Sequence, residues 1–111
     1  MSSKPPRHYL NIRERHPEFI EAVESLGLVL RQQGPLDDIS GQLVQLASAV
    51  AIRSEGAVHS HVKRALQYGA STEEIRHTII LLTSTVGFPT AMAALSWADD
   101  VIDEYADDDS V

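Results

Sequence analysis

"SEGAVHSHVKRALQYGASTEEIRHTIILL" (54–82) spells two helices and the turn between them. Ser54 suits the N-cap of the first, and Gly69 is a natural stop for it because glycine enters the left-handed region without a side-chain clash. "STEE" (71–74) opens the second. The Ser71 hydroxyl can accept from the Glu74 amide while the Glu74 carboxylate reaches back to the Ser71 amide. Beyond that capping box, Ile75, Ile79, Leu82 and Val86 form a stripe at helical spacing, and Ile80 and Leu81 widen it until almost no polar side is left. Such a helix is surrounded, by its own domain or by another subunit.

The same periodicity extends outward from this pair. Pro17 suits a first helical turn, and Phe19, Val23, Leu26 and Leu30 follow on one face until Gly34 and Pro35. Asp37 or Asp38 can cap the next helix, on which Ile39, Leu43, Leu46 and Val50 repeat the spacing and Ala47, Ala49 and Ala51 permit close approach of a neighbour. Gly87, Phe88 and Pro89 interrupt the pattern. Pro89 then fits the start of a last helix reaching about Tyr105, with Met92, Leu95, Val101 or Ile102, and Tyr105 inward and Asp99, Asp100, Asp103 and Glu104 toward water. No segment of several residues alternates apolar and polar with β-branched enrichment, so no sheet is expected. The expected fold is all-α, a single-domain bundle of about five helices over residues 16–106, with a flexible basic arm at 1–15 and an acidic tail at 107–111.

A chain of 111 residues supports one core. Its net charge of -7 is local: Asp99, Asp100, Asp103, Glu104, Asp107, Asp108 and Asp109 are seven of the sixteen acids, and the others balance the nine bases. Lys4, Arg7, Arg13 and Arg15 make the opposite end basic, so the two ends can attract each other, or can simply be solvated. No broad basic face with interleaved aromatics is present, which argues against a nucleic-acid partner. The absence of cysteine removes disulfides, thiolate nucleophiles and sulfur metal ligands together. "MSSKPP" (1–6) has no apolar signal core, and the longest aliphatic run is residues 79–82, so neither a signal peptide nor a membrane span is expected and a cytoplasmic setting is the simplest.

Helical spacing separates two histidines. His61 lies four residues after Ala57 and four before Ala65, beside Val58 and Val62, and points inward; His59 falls on the side of Glu55 and Lys63, a hydrated face with i, i+4 pairing. Two readings of His61 stand open, a core imidazole satisfied by a neighbouring carbonyl or hydroxyl and a functional one. The two-residue separation of the rings is wrong for a shared metal on one helix face, and no metal is expected. A Gly-rich phosphate loop and a Gly-x-Ser-x-Gly elbow are both missing.

Three stretches in order, "PLDDISGQLVQLASAVA" (35–51), "EGAVHSHVKRALQYGASTEEIRHTIIL" (55–81) and "VGFPTAMAAL" (86–95), resemble the carboxymuconolactone decarboxylase family, which includes the alkylhydroperoxidase D proteins. The resemblance implies an alkylhydroperoxidase D-like helical fold and a homo-oligomer, a trimer or dimer of trimers. In the peroxidase branch this helix opens with Cys-x-x-Cys-x-x-x-His; those positions here are Ser54, Ala57 and His61. The carboxylate of the redox branch aligns with Gln42, which cannot relay a proton as an acid. A thiol-dependent peroxidase is therefore excluded on chemistry.

The decarboxylase branch keeps a histidine at the position of His61 and a Gly-x-Pro turn like Gly87, Phe88 and Pro89. The resemblance thus implies a cofactor-free enzyme acting on a small carboxylated lactone or related acid. His61 would be the general acid/base and Arg53 the anion contact, with Arg76 a second cation to consider; Glu55 and Gln42 would be polar pocket residues. The alternative is a non-catalytic oligomeric helical protein that binds a small ligand or a protein partner.

Overall fold

A computed structural model describes residues 5–109, with side chains described through Ala106. The expected attraction between the two charged ends involves Lys4 and the tail at 107–111, which lie outside the described side chains. The described residues are all helical apart from turns and form two units, one ending at Leu36 and one starting at Asp37.

The first unit is a helical hairpin. The segment expected to be a flexible arm carries α1 (Arg7–Arg15), followed by α2 (Pro17–Arg31). His16 serves both: its N–H donates to the Ile12 carbonyl at 2.7 Å and its carbonyl accepts from Ile20 at 3.2 Å, while Pro17 takes the first turn, where no amide hydrogen is needed. Tyr9 and Arg13 of α1 both donate to the Glu24 carboxylate of α2, and the Arg13 guanidinium lies 5.2 Å from the centre of the Tyr9 ring. The hydrogen bond to Glu24 raises the Tyr9 phenol above its ordinary pKa. Sequence reading missed α1 because it has no apolar stripe; none of its residues is buried. The apolar stripe of α2 is also not buried. Phe19, Val23, Leu26 and Leu30 are 48–60% exposed, and Ile20 is the buried residue of this helix.

The second unit holds the core: α3 (Asp38–Ala51), α4 (Glu55–Gln67), α5 (Thr72–Leu81), the single turn α6 (Thr83–Val86) and α7 (Phe88–Asp109). Leu46 and Val50 of α3, Val58, Val62 and Ala65 of α4, and Ile75 and Ile79 of α5 are fully buried together with Ala94 and Ala98 of α7. Helix α4 lies centrally, packed on α3 and on α7.

Local chemistry sets each boundary. The Asp37 carboxylate accepts from the Ser40 amide at 2.7 Å, which holds that carboxyl below its ordinary pKa, and Ser54 accepts from Ala57 at 3.2 Å. At α5 both halves of the expected capping box form, Glu74 N–H to Ser71 at 3.0 Å and Ser71 N–H to Glu74 at 2.9 Å.

Two expectations for the later helices are corrected. Helix α5 does not run unbroken to Val86. It ends at Leu81, where the Thr83 hydroxyl donates to the Ile80 carbonyl at 2.8 Å and competes with the helical ladder. Leu82 and Val86 still pack against the core, but Ile80 and Leu81 are 53% and 62% exposed. On α7 the inward face is Ala91, Ala94, Ala98, Val101 and Ile102, and Met92 is exposed. A reading weighted by side-chain size favours the methionine; the packing uses methyl groups, which bring α7 close to α4.

Candidate functional site

Gln42 sits one turn into α3 on the face of Leu46, Ala49 and Val50, and it is 1% exposed. An amide on an aliphatic face must find a partner or lose the hydrogen bonds it makes in water. The partner is His61 of α4: its Nδ1 lies 2.9 Å from Gln42 Oε1. The expectation that His61 turns inward holds in part, for the ring is half-buried between the sealed Val58 and Val62.

The other edge of this imidazole differs. Nε2 makes no hydrogen bond to any described residue. On the face expected to be hydrated, by contrast, His59 Nε2 is sealed without a hydrogen-bond partner. His61 therefore has one nitrogen committed to the protein and one without a described hydrogen-bond partner. Burial, and after it the positive charge of Arg64, holds its pKa below that of an ordinary histidine, so the neutral ring is favoured. Arg64 was not picked out from the sequence, although its i+3 spacing from His61 was a usable signal.

Arg53 stands at the corner between α3 and α4 with φ +57°, the one described non-glycine residue in the left-handed region. The corner is a Schellman turn: Ser54 N–H donates to Ala49 at 3.0 Å and Arg53 N–H to Val50 at 2.9 Å. The corresponding corner after α4 has the same two bonds, Ala70 to Ala65 at 2.9 Å and Gly69 to Leu66 at 3.0 Å, but glycine occupies the left-handed place. The Arg53 side chain is exposed and has no hydrogen bond or ion pair among the described residues.

Other sequence candidates are placed less centrally. Arg76 is half-buried and tied to Asp99 of α7 at 3.0 Å, which occupies its charge. Glu55, in the first turn of α4, lies 3.8 Å from His59 Nε2, the expected i, i+4 pair but too long for a hydrogen bond. The structure thus joins Gln42 to His61 and leaves Arg53 and Glu55 outside that hydrogen bond. No group of three or more His, Asp or Glu residues able to hold a metal occurs among the described residues, and no helix there is long and apolar enough to cross a membrane. The chemistry available is proton transfer at Nε2 of a histidine held by a buried amide.

Comparison with known proteins bears on the family and the fold. The profile of the carboxymuconolactone decarboxylase family matches residues 17–100, from the start of α2 into α7. An uncharacterized protein of Methanocaldococcus jannaschii, MJ1511, is 30% identical over 84 residues, 76% of this chain and 78% of its own. The crystal structure of apo-lpg0406, a carboxymuconolactone decarboxylase family protein from Legionella pneumophila, superposes with a TM-score of 0.74 at 26% identity, covering 88% of this chain and 87% of that one. With its profile matched over residues 17–100, this chain belongs to the carboxymuconolactone decarboxylase family.

Proposed function

We propose that the protein is a cofactor-free, decarboxylase-like enzyme that acts on a small carboxylated lactone or related organic acid, with His61 as its general acid/base. The observation that carries this reading is the half-buried His61 imidazole, fixed at Nδ1 by Gln42 and left without a described hydrogen-bond partner at Nε2. In such a reaction the bond to the departing carboxylate breaks, its electron pair enters the substrate's own conjugated carbonyl, and carbon dioxide leaves. The resulting enolate then takes a proton to carbon. The substrate is its own electron sink, so the protein has to supply a proton and neutralise negative charge.

Arg53 is the proposed carboxylate contact. A bulky residue held in the left-handed region is strained, and such strain collects at functional corners. Its guanidinium is not occupied by any described carboxylate, unlike that of Arg76. Glu55, one residue beyond the Ser54 cap, is the proposed polar neighbour of that contact.

We further propose that the active form is a homo-oligomer, a trimer or dimer of trimers. Support comes from the exposed stripe of α2 and from Ile80, Leu81 and Phe88, which are 53–63% exposed.

The test is release of carbon dioxide from a panel of lactone acids, with His61→Ala as the paired variant. A general acid contributes about 10²–10⁴-fold, so the variant should lose at least about a hundredfold in turnover with its oligomeric mass unchanged. A native protein that binds lactone acids without turning any over would identify a ligand carrier instead.

A further inference from the structure

We propose that Gln42 is a positioning residue: it pins one proton on His61 Nδ1 and thereby confines proton transfer to Nε2. Gln42 Oε1 carries no hydrogen, so the 2.9 Å contact is a hydrogen bond only if Nδ1 donates. The neutral ring is consequently the Nδ1–H tautomer, with its lone pair on Nε2. In the imidazolium the Nδ1 proton is still held, and the Nε2 proton is the one free to leave.

Burial of the amide makes this control effective. At 1% exposure Gln42 has little water to turn to, and the face it shares with Leu46, Ala49 and Val50 is aliphatic. The amide oxygen also does not take up a proton near neutral pH. A carboxylate in the same place would form a second proton station; the amide ends the relay at the ring. In the decarboxylation proposed above, the Nε2–H bond breaks as a C–H bond forms on the enolate. The ring returns to its neutral Nδ1–H form, and solvent restores the Nε2 proton.

The catalytic part of this inference rests on His61 being the acid, whereas the tautomer does not depend on turnover. The experiment is therefore a pair of measurements on the full chain. In protein labelled with ¹⁵N-histidine, long-range proton–nitrogen correlation above the titration range should show His61 with a protonated Nδ1 and a lone pair on Nε2. Gln42→Glu keeps an acceptor and should keep that pattern. Gln42→Met keeps the length but removes the acceptor, and should give a mixture of tautomers. On any lactone acid the native protein turns over, Gln42→Met should lower kcat by about tenfold or more with little change in KM, a fraction of the general-acid contribution.

A native His61 protonated on Nε2, or a Gln42→Met ring that stays purely Nδ1–H, overturns the proposal. If Gln42→Met does not fold, the native spectrum still decides between the two tautomers. Loss of the expected tautomer refutes the role of Gln42 whatever the activity; a native protein inactive on every acid refutes the enzyme reading and leaves the tautomer result standing.

Discussion

Replacing Arg53 by glycine separates backbone strain from side-chain function at one position. With φ +57°, Arg53 bears the left-handed penalty of about 1 kcal/mol that Gly69 avoids in the matching turn. Glycine would relieve that strain, but its greater freedom in the unfolded chain costs back about 0.5–1 kcal/mol. The exposed side chain adds no described hydrogen bond or ion pair to the balance. The expected net effect is a stability change between zero and about 0.5 kcal/mol in favour of Arg53→Gly, at most a rise of about 2–4 °C in Tm. Thermal and urea unfolding at one fixed protein concentration measure it, since association would otherwise contribute. The same variant should bind small carboxylates more weakly by calorimetry, because the proposed anion contact is gone. A loss of more than about 1 kcal/mol would refute the strain argument by showing that the arginine side chain stabilises the corner. Unchanged carboxylate affinity would remove Arg53 from the site.

Three other outcomes follow from the described geometry. His61 has a lowered folded pKa, so between that value and the ordinary histidine value of about 6.5 the unfolded chain binds more protons. Stability should therefore fall as pH drops through this window, and His61→Gln should flatten the fall in urea midpoints measured against pH. Ser71→Ala removes the acceptor of the Glu74 amide and should cost about 1 kcal/mol in equilibrium unfolding; a cost near zero would mean that water replaces the cap. Leu26→Glu on the exposed stripe of α2 should lower the mass seen by light scattering while leaving far-UV circular dichroism in place, and an unchanged mass would take that face out of the proposed interface.

The helices with a stripe or a chemical stop could be read from the letters. Ser54, Gly69 and the Ser71–Glu74 box act locally, and the structure uses each as expected. What failed depended on the third dimension. Helix α1 is held by polar groups reaching Glu24, fifteen and eleven residues away along the chain, a separation that local periodicity does not register. Hydrophobic size is no guide to depth on α7: Met92 is exposed, whereas Ala94 and Ala98 occupy the interior. Of the candidate site, the inward turn of His61 followed from spacing and Gln42 from the family resemblance. Their 2.9 Å hydrogen bond needed α3 and α4 side by side, and the left-handed Arg53 was masked by a turn that more often ends in glycine.

The alanine face of α7 also limits how this protein can change. Ala91, Ala94 and Ala98 already present the smallest side chain that favours a helix, so trimming can only yield glycine and enlargement crowds the interior. A change of volume in either direction is therefore barred from that seam, and sequence drift in α7 has to fall on the faces that no neighbouring helix fills.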